Sequence, residues 1–161
     1  MSPEWPRSAA FIRRCVDSGV TVSNGGLMAS IPDMARYLAF LLGDEPARRD
    51  RYDGVLKRSS LEEMWQPQLK IATGESTEGG EQSIGLAFFL EQHAGRRLIG
   101  HSGDQAGFIS HFYVDLERRA AYVVSFNTDA SSKTKGAAQS TRALDAALRD
   151  EILRSVFPDL R

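Results

Sequence analysis

Between Ser83 and Asn127 the chain is almost continuously strand-forming, and the breaks in that run are too short for anything but tight reversals. Four segments are predicted as strands: Ile84 to Glu91, Arg96 to Gly100, Phe108 to Asp115 and Ala120 to Asn127. Three of the four are rich in β-branched and aromatic residues, and Arg96 to Gly100 carries the apolar pair Leu98-Ile99. His93-Ala94-Gly95 and Leu116-Glu117-Arg118-Arg119 lie between them. Connections this short join antiparallel neighbours, because a parallel crossover needs a dozen residues or more. The sequence therefore demands an antiparallel meander with at least one face to bury.

Helical patterns bracket the meander. Ser30 is a good N-cap, Pro32 sits where its missing N–H does no harm, and Asp33 suits the positive first turn. Met34, Leu38, Leu41 and Leu42 then recur at helical spacing until Gly43. Ser60 to Trp65 reads as a short helix capped by Ser59 or Ser60 and ended by Pro67. Ala137 to Phe157 reads as a long C-terminal helix with the stripe Leu144, Ala147, Leu148, Ile152 and Val156, stopped by Pro158. A shorter helix is expected over Ala9 to Asp17, where Phe11, Ile12, Cys15 and Val16 share a face. Residues 44–58, 72–82 and 129–136 are polar and read as loops, and residues 1–24 as a largely irregular lead-in. The order helix, helix, meander, helix is α+β: helices covering an antiparallel sheet. A length of 161 residues suits a single domain over 1–161.

Charge narrows the function. With a net charge of -1 and 25% charged residues, the chain offers nothing that argues for a nucleic-acid or anionic-membrane partner. Its apolar runs are far too short to span a bilayer, and no export signal is visible at Met1 to Pro6. The single cysteine, Cys15, excludes an intrachain disulfide and a cysteine-rich zinc site. His93, His101 and His111 do not have metal-ligand spacing. No metal and no cofactor are expected.

The chemistry concentrates at His101-Ser102-Gly103. An imidazole, a hydroxyl and a glycine at a strand suit a wall for a carbonyl-bearing or anionic substrate, since both side chains hydrogen-bond and glycine admits a close approach. Gly100-His101-Ser102-Gly103-Asp104 nearly matches the nucleophile-elbow pattern. That elbow needs a helix directly after the serine, and here a strand follows, with no histidine far downstream as base. Ser132-Lys133-Thr134-Lys135 fits Ser-x-x-Lys. It lies in a polar run where the lysine would be hydrated and keep its proton.

Several segments together resemble the serine beta-lactamase-like family of beta-lactamases, penicillin-binding carboxypeptidases and related esterases. Gly25-Gly26-Leu27-Met28-Ala29-Ser30 with the helix that follows resembles its glycine pair plus helix. Ser83-Ile84-Gly85-Leu86-Ala87-Phe88 resembles its Tyr-Gly-Leu-Gly-Trp strand, departing at Ile84 and Ala87. Gly100-His101-Ser102-Gly103, followed after a short loop by Gly107-Phe108, resembles its third motif in the His-x-Gly form, and Ala121 to Asn127 its closing strand. The resemblance runs over residues 25–157 and implies the C-terminal part of that fold.

In that family the third motif lies on an edge strand facing the nucleophile. Carried over, His101 would orient or polarise the substrate, Ser102 would hydrogen-bond its carboxylate or carbonyl, and Gly103 would leave room for the acyl group. The backbone N–H of Asp104 would supply one oxyanion donor. The family's Ser-x-x-Lys and Tyr-x-Asn motifs belong well upstream of the glycine pair. Only 24 residues precede Gly25, neither motif stands there, and no tyrosine is followed two positions on by asparagine. The expectation is a C-terminal segment of a serine hydrolase acting on an amide, lactam or ester, inactive alone. It would need a second copy or a partner chain to cover the missing half. The alternative is a non-catalytic binding domain derived from the same fold.

Overall fold

The computed structural model describes residues 28–43, 46–71, 82–93, 95–105, 107–129 and 140–160. The chain divides into two compact units, Met1–Ser30 and Ile31–Arg161. Every helix and strand among the described residues belongs to the second. The glycine pair Gly25-Gly26, Cys15 and the helix expected over Ala9 to Asp17 lie outside the described residues, as does Ser132 to Lys135.

Six strands form one antiparallel sheet in strictly sequential order: β1 (Leu69–Ile71), β2 (Gln82–Ile84), β3 (Phe89–His93), β4 (Arg96–Gln105), β5 (Phe108–Asp115) and β6 (Ala120–Phe126). The expected meander is present, with two refinements. The predicted strand Ile84 to Glu91 is a hairpin, its reversal at Gly85 to Phe88 closed by Gly85 N–H donating to the Phe88 carbonyl at 2.9 Å. The predicted strand ending at Gly100 continues to Gln105, because the polar residues 101–105 keep pairing with β5.

Alternation along the strands gives the sheet two buried faces. On one, Leu90, Ile99 and Val114 pack with Phe88 under α1 (Ile31–Leu42) and α3 (Arg58–Met64), through Leu38, Leu41, Leu61 and Trp65. On the other, Leu98, Tyr113 and Ala120 pack under the C-terminal helix through Leu153 and Phe157. Each such side chain removed from water contributes roughly 1.5–3 kcal/mol. α1 stops at Gly43, whose φ of 70° places it in the left-handed region while its N–H donates to the Ala39 carbonyl.

Residues 44–58, expected as loop, instead carry a short 3-10 turn (Pro46–Arg48) and α2 (Arg49–Val55). One edge-on contact of Tyr52 with Phe40 of α1, at 5.4 Å between ring centroids, helps hold this helix to the fold. A single anchoring ring leaves no apolar stripe to detect.

The C-terminal helix departs most from expectation. It runs as α4 (Thr141–Glu151), widens into a π turn (Ile152–Val156) and closes as a 3-10 turn (Phe157–Asp159). Ser140 caps it, its Oγ accepting from Ala143 N–H at 3.1 Å. Leu144, Leu148 and Val156 from the predicted stripe are exposed. The line facing the sheet is Thr141, Asp145, Arg149, Leu153 and Phe157, each four residues from the last. An α-helix drifts away from a strict four-residue repeat, and the wider π turn compensates at its end.

Candidate functional site

β3 pairs with β4 only as far as Gly100, opposite Phe89. Beyond that point His101 to Gln105 pair with β5 alone. The His-Ser-Gly segment is therefore the free half of a strand that is interior elsewhere, and its outer backbone edge is unpaired among the described residues. Gly100 permits this arrangement: a Cβ there would run into the Phe112 carbonyl and the Tyr113 ring. Gly107, at φ 85°, lies in the tight return to β5.

Alternation sends the segment's side chains to opposite faces. His101 stacks on Phe89, ring centroids 5.0 Å apart at 27°, and is exposed. Ser102 and Asp104 turn to the α4 side, with Ser102 directly across from His111 of β5 and Asp104 across from Ile109. Ser102, Gly103 and Asp104 line one wall of a cleft of about 430 Å³, and α4 supplies the facing wall. That volume suits a small-molecule ligand. His101 does not line this cleft, so the four predicted residues share a strand but not a single surface.

The cleft floor is charged. Glu91, 6% exposed, accepts from Tyr113 Oη at 2.7 Å and from Gln82 Nε2 at 2.6 Å, and it is ion-paired with Arg149 of α4. The Arg149 guanidinium also covers the Tyr113 ring at 4.5 Å. His111, equally buried, places Nδ1 3.2 Å from Asp145 Oδ1. Arg142 pairs with Asp104 at the rim, and Asp150 approaches His93 at 3.4 Å beyond it.

Burial holds His111 below its usual pKa, outweighing the attraction of Asp145, so its imidazole is neutral at pH 7. Desolvation together with Glu91 pushes the Tyr113 hydroxyl well above the usual phenol range. Burial would lower Arg149, but Glu91 and the tyrosines raise it further, so the guanidinium keeps its charge.

Sequence reasoning missed Glu91, His111, Asp145 and Arg149. A trace was present: Asp145 and Arg149 stand four apart on the predicted helix, and His111 interrupts the largely apolar run Phe108 to Val114. What the sequence could not supply was the rotation of the helix. Among the described residues no group of three or more His, Cys, Asp or Glu side chains is placed to hold a metal ion.

The meander, the glycine-framed His-Ser-Gly strand and the helices on the two faces of the sheet are the features a comparison has to match. A family model for Beta-lactamase matches residues 2–147. The chain belongs to the beta-lactamase family. Two curated relatives, both D-aminopeptidases of Cereibacter sphaeroides, are 27% identical (strain ATCC 17029 / ATH 2.4.9) and 26% identical (strain KD131 / KCTC 12085) over 144 residues. The match takes in 89% of this chain and 24% of each relative, so the chain spans about a quarter of their length. No solved structure gives a significant match. A partial beta-lactamase-like α+β fold and a serine-hydrolase type of family agree with the expectation from the motifs.

Proposed function

We propose that this chain is the substrate-wall segment of an acyl-transferring serine hydrolase, with the nucleophile contributed by polypeptide outside it. The observation that carries this reading is the unpaired outer edge of β4 at His101 to Gln105, opening beside a cleft. In the complete site a serine hydroxyl attacks an amide, lactam or ester carbonyl. The acyl-enzyme is then hydrolysed by water. His101 polarises or orients the substrate from one face, and Ser102 hydrogen-bonds it from the other. Gly103 leaves room for the acyl group. The backbone N–H of Asp104 serves as one donor to the oxyanion, and aimed donors of this kind are a large share of acyl-transfer catalysis. The relatives' name favours an amide bond as the one cleaved. A second copy or a further length of polypeptide covers the parts of the sheet this chain leaves open.

A second reading is a binding domain without chemistry. It is favoured by one observation: the cleft and its charged floor are built entirely from residues of this chain.

Intact mass after treatment with a fluorophosphonate, a general serine-acylating reagent, tests the hydrolase reading. No adduct is expected on the purified chain. A covalent adduct mapped to Ser102 or Ser132 overturns the reading, because the chain would then hold its own activated nucleophile.

A further inference from the structure

The cleft floor is one positive charge short. Glu91 of β3 and Asp145 of α4 are carboxylates, Arg149 of α4 is the guanidinium paired with Glu91, and His111 is neutral. Arg149 is committed to Glu91, which also takes hydrogen bonds from Tyr113 and Gln82. Among the described residues Asp145 faces the neutral imidazole of His111 and the un-ionised phenol of Tyr122, neither of which carries a positive charge. Arg142, at the rim, is paired with Asp104, and its side chain is 71% exposed, where water screens it. An uncompensated charge in such a setting is costly unless something of opposite sign joins it.

The same floor also has unused hydrogen-bonding capacity. His111 Nε2, Asp145 Oδ1 and Arg149 Nε are buried without a hydrogen-bond partner. His111 is only 6% exposed, yet it lines the cleft and stands across from the Ser102 hydroxyl. Asp145 still shows 21% of its side chain, enough for its carboxylate to meet a ligand in the cleft. Unsatisfied polar atoms at this density are unusual in a folded protein and ask for an explanation.

From the juxtaposition of Asp145, His111 and Ser102 at the cleft wall we infer that the cleft binds a primary ammonium group of a small organic ligand. The ammonium has three N–H donors and no acceptor, which matches a carboxylate, an imidazole lone pair and a hydroxyl oxygen. A metal ion fits less well, since the described residues contain no cluster of three ligating side chains. The cleft, at about 430 Å³, is sized for a molecule and not for a bare ion. The inference deepens the hydrolase reading and rests on it only in making the bound amine the substrate's own amino group. The site itself requires no nucleophile.

The test reads binding and not turnover. The purified chain at pH 7 is titrated with D-alaninamide while the His111 ring resonances are followed by NMR. N-acetyl-D-alaninamide, which lacks the ammonium, and calcium chloride are titrated in parallel. Saturable shifts are expected with D-alaninamide, at least tenfold weaker binding with the acetylated ligand, and at least tenfold weaker binding of D-alaninamide to Asp145→Asn. Asp145→Asn is isosteric and relieves a buried charge, and circular dichroism checks its fold. Asp150→Asn, outside the cleft, should bind as the unaltered chain does. Equal binding of the acetylated ligand, no saturable shift, or calcium saturating the resonances where the amine does not, each overturns the inference. A fluorophosphonate adduct would sink the hydrolase reading and leave this binding result standing.

Discussion

Ala87 is the residue at which sequence and backbone are most openly at odds. It sits at φ 62° in the reversal between β2 and β3, where Leu86 N–H donates to the Met64 carbonyl at 2.8 Å. A left-handed conformation costs a residue with a Cβ roughly 1–2 kcal/mol. The family pattern that this segment resembles has glycine at this position. Ala87→Gly should therefore raise stability by about 1 kcal/mol, read as a higher urea midpoint with an unchanged slope. The departure at Ala87 was visible in the sequence, but its conformational meaning was not. A run of Ser-Ile-Gly-Leu-Ala-Phe-Phe-Leu scores as one continuous strand, and only the pairing of Ile84 with Phe89 shows that the chain turns back. His101 to Asp104 stand out in the sequence because their polarity interrupts an apolar region. Their division between two faces follows from strand alternation and was open to inference.

Among the elements, the C-terminal helix shows where periodicity misleads. Its apolar residues Leu144 and Leu148 suggested the buried stripe, yet both point outward, and the helix meets the sheet through Asp145, Arg149, Leu153 and Phe157. Hydrophobic patterning assumes that the inner face is apolar. Here the upper half of that face is ionic because it forms the wall of a cleft, so the pattern selected the wrong side. The two assignments predict opposite mutational costs. Phe157→Ala should destabilise by about 3–5 kcal/mol, as for a ring removed from a closed core. Leu144→Ala should stay within about 0.5 kcal/mol of the unaltered chain. Thermal or urea unfolding of the two variants decides between them. The helix α1 was legible because its stripe and its stop at Gly43 agreed. The helix α3 was legible as a helix but not at its start, since Ser59 and Ser60, expected as caps, lie inside it and Lys57 precedes its first turn without a side-chain cap. By contrast, α2 depends on tertiary contacts that no local pattern carries.

For the whole molecule, the buried charges set a pH window. His93 and His111 are both held below their usual value of 6.5, mainly by burial. The unfolded chain therefore takes up protons first as pH falls, and stability drops from about pH 6.5 downward. Tyr113 and Tyr122 are held above their usual value of 10.0, again mainly by burial. The unfolded chain loses those protons first, so stability drops as pH rises past 10. Urea unfolding across pH should give a plateau between these limits, and His111→Gln should flatten the acid side. The open edge of β6 makes a separate prediction. Ala120 to Phe126 contains no charge and no proline, and among the described residues it pairs only with β5. Such an edge invites pairing with another strand. Light scattering after gel filtration should show association, and Ser125→Lys, at an exposed position on that strand, should shift it toward monomer.

The sequential order β1 to β6 bears on how the chain is made. Every strand in the sheet pairs with the strand just before it in the chain, so no pairing waits for a distant segment. Low sequence separation between partners favours rapid folding, and assembly can follow synthesis hairpin by hairpin. The helices make the distant contacts: α1 packs Leu38 and Leu41 against Val114, and the C-terminal helix brings Arg149 to Glu91 across 58 positions. The burial of the Glu91 carboxylate therefore depends on a segment far along the chain from its own strand, the helix that carries Arg149.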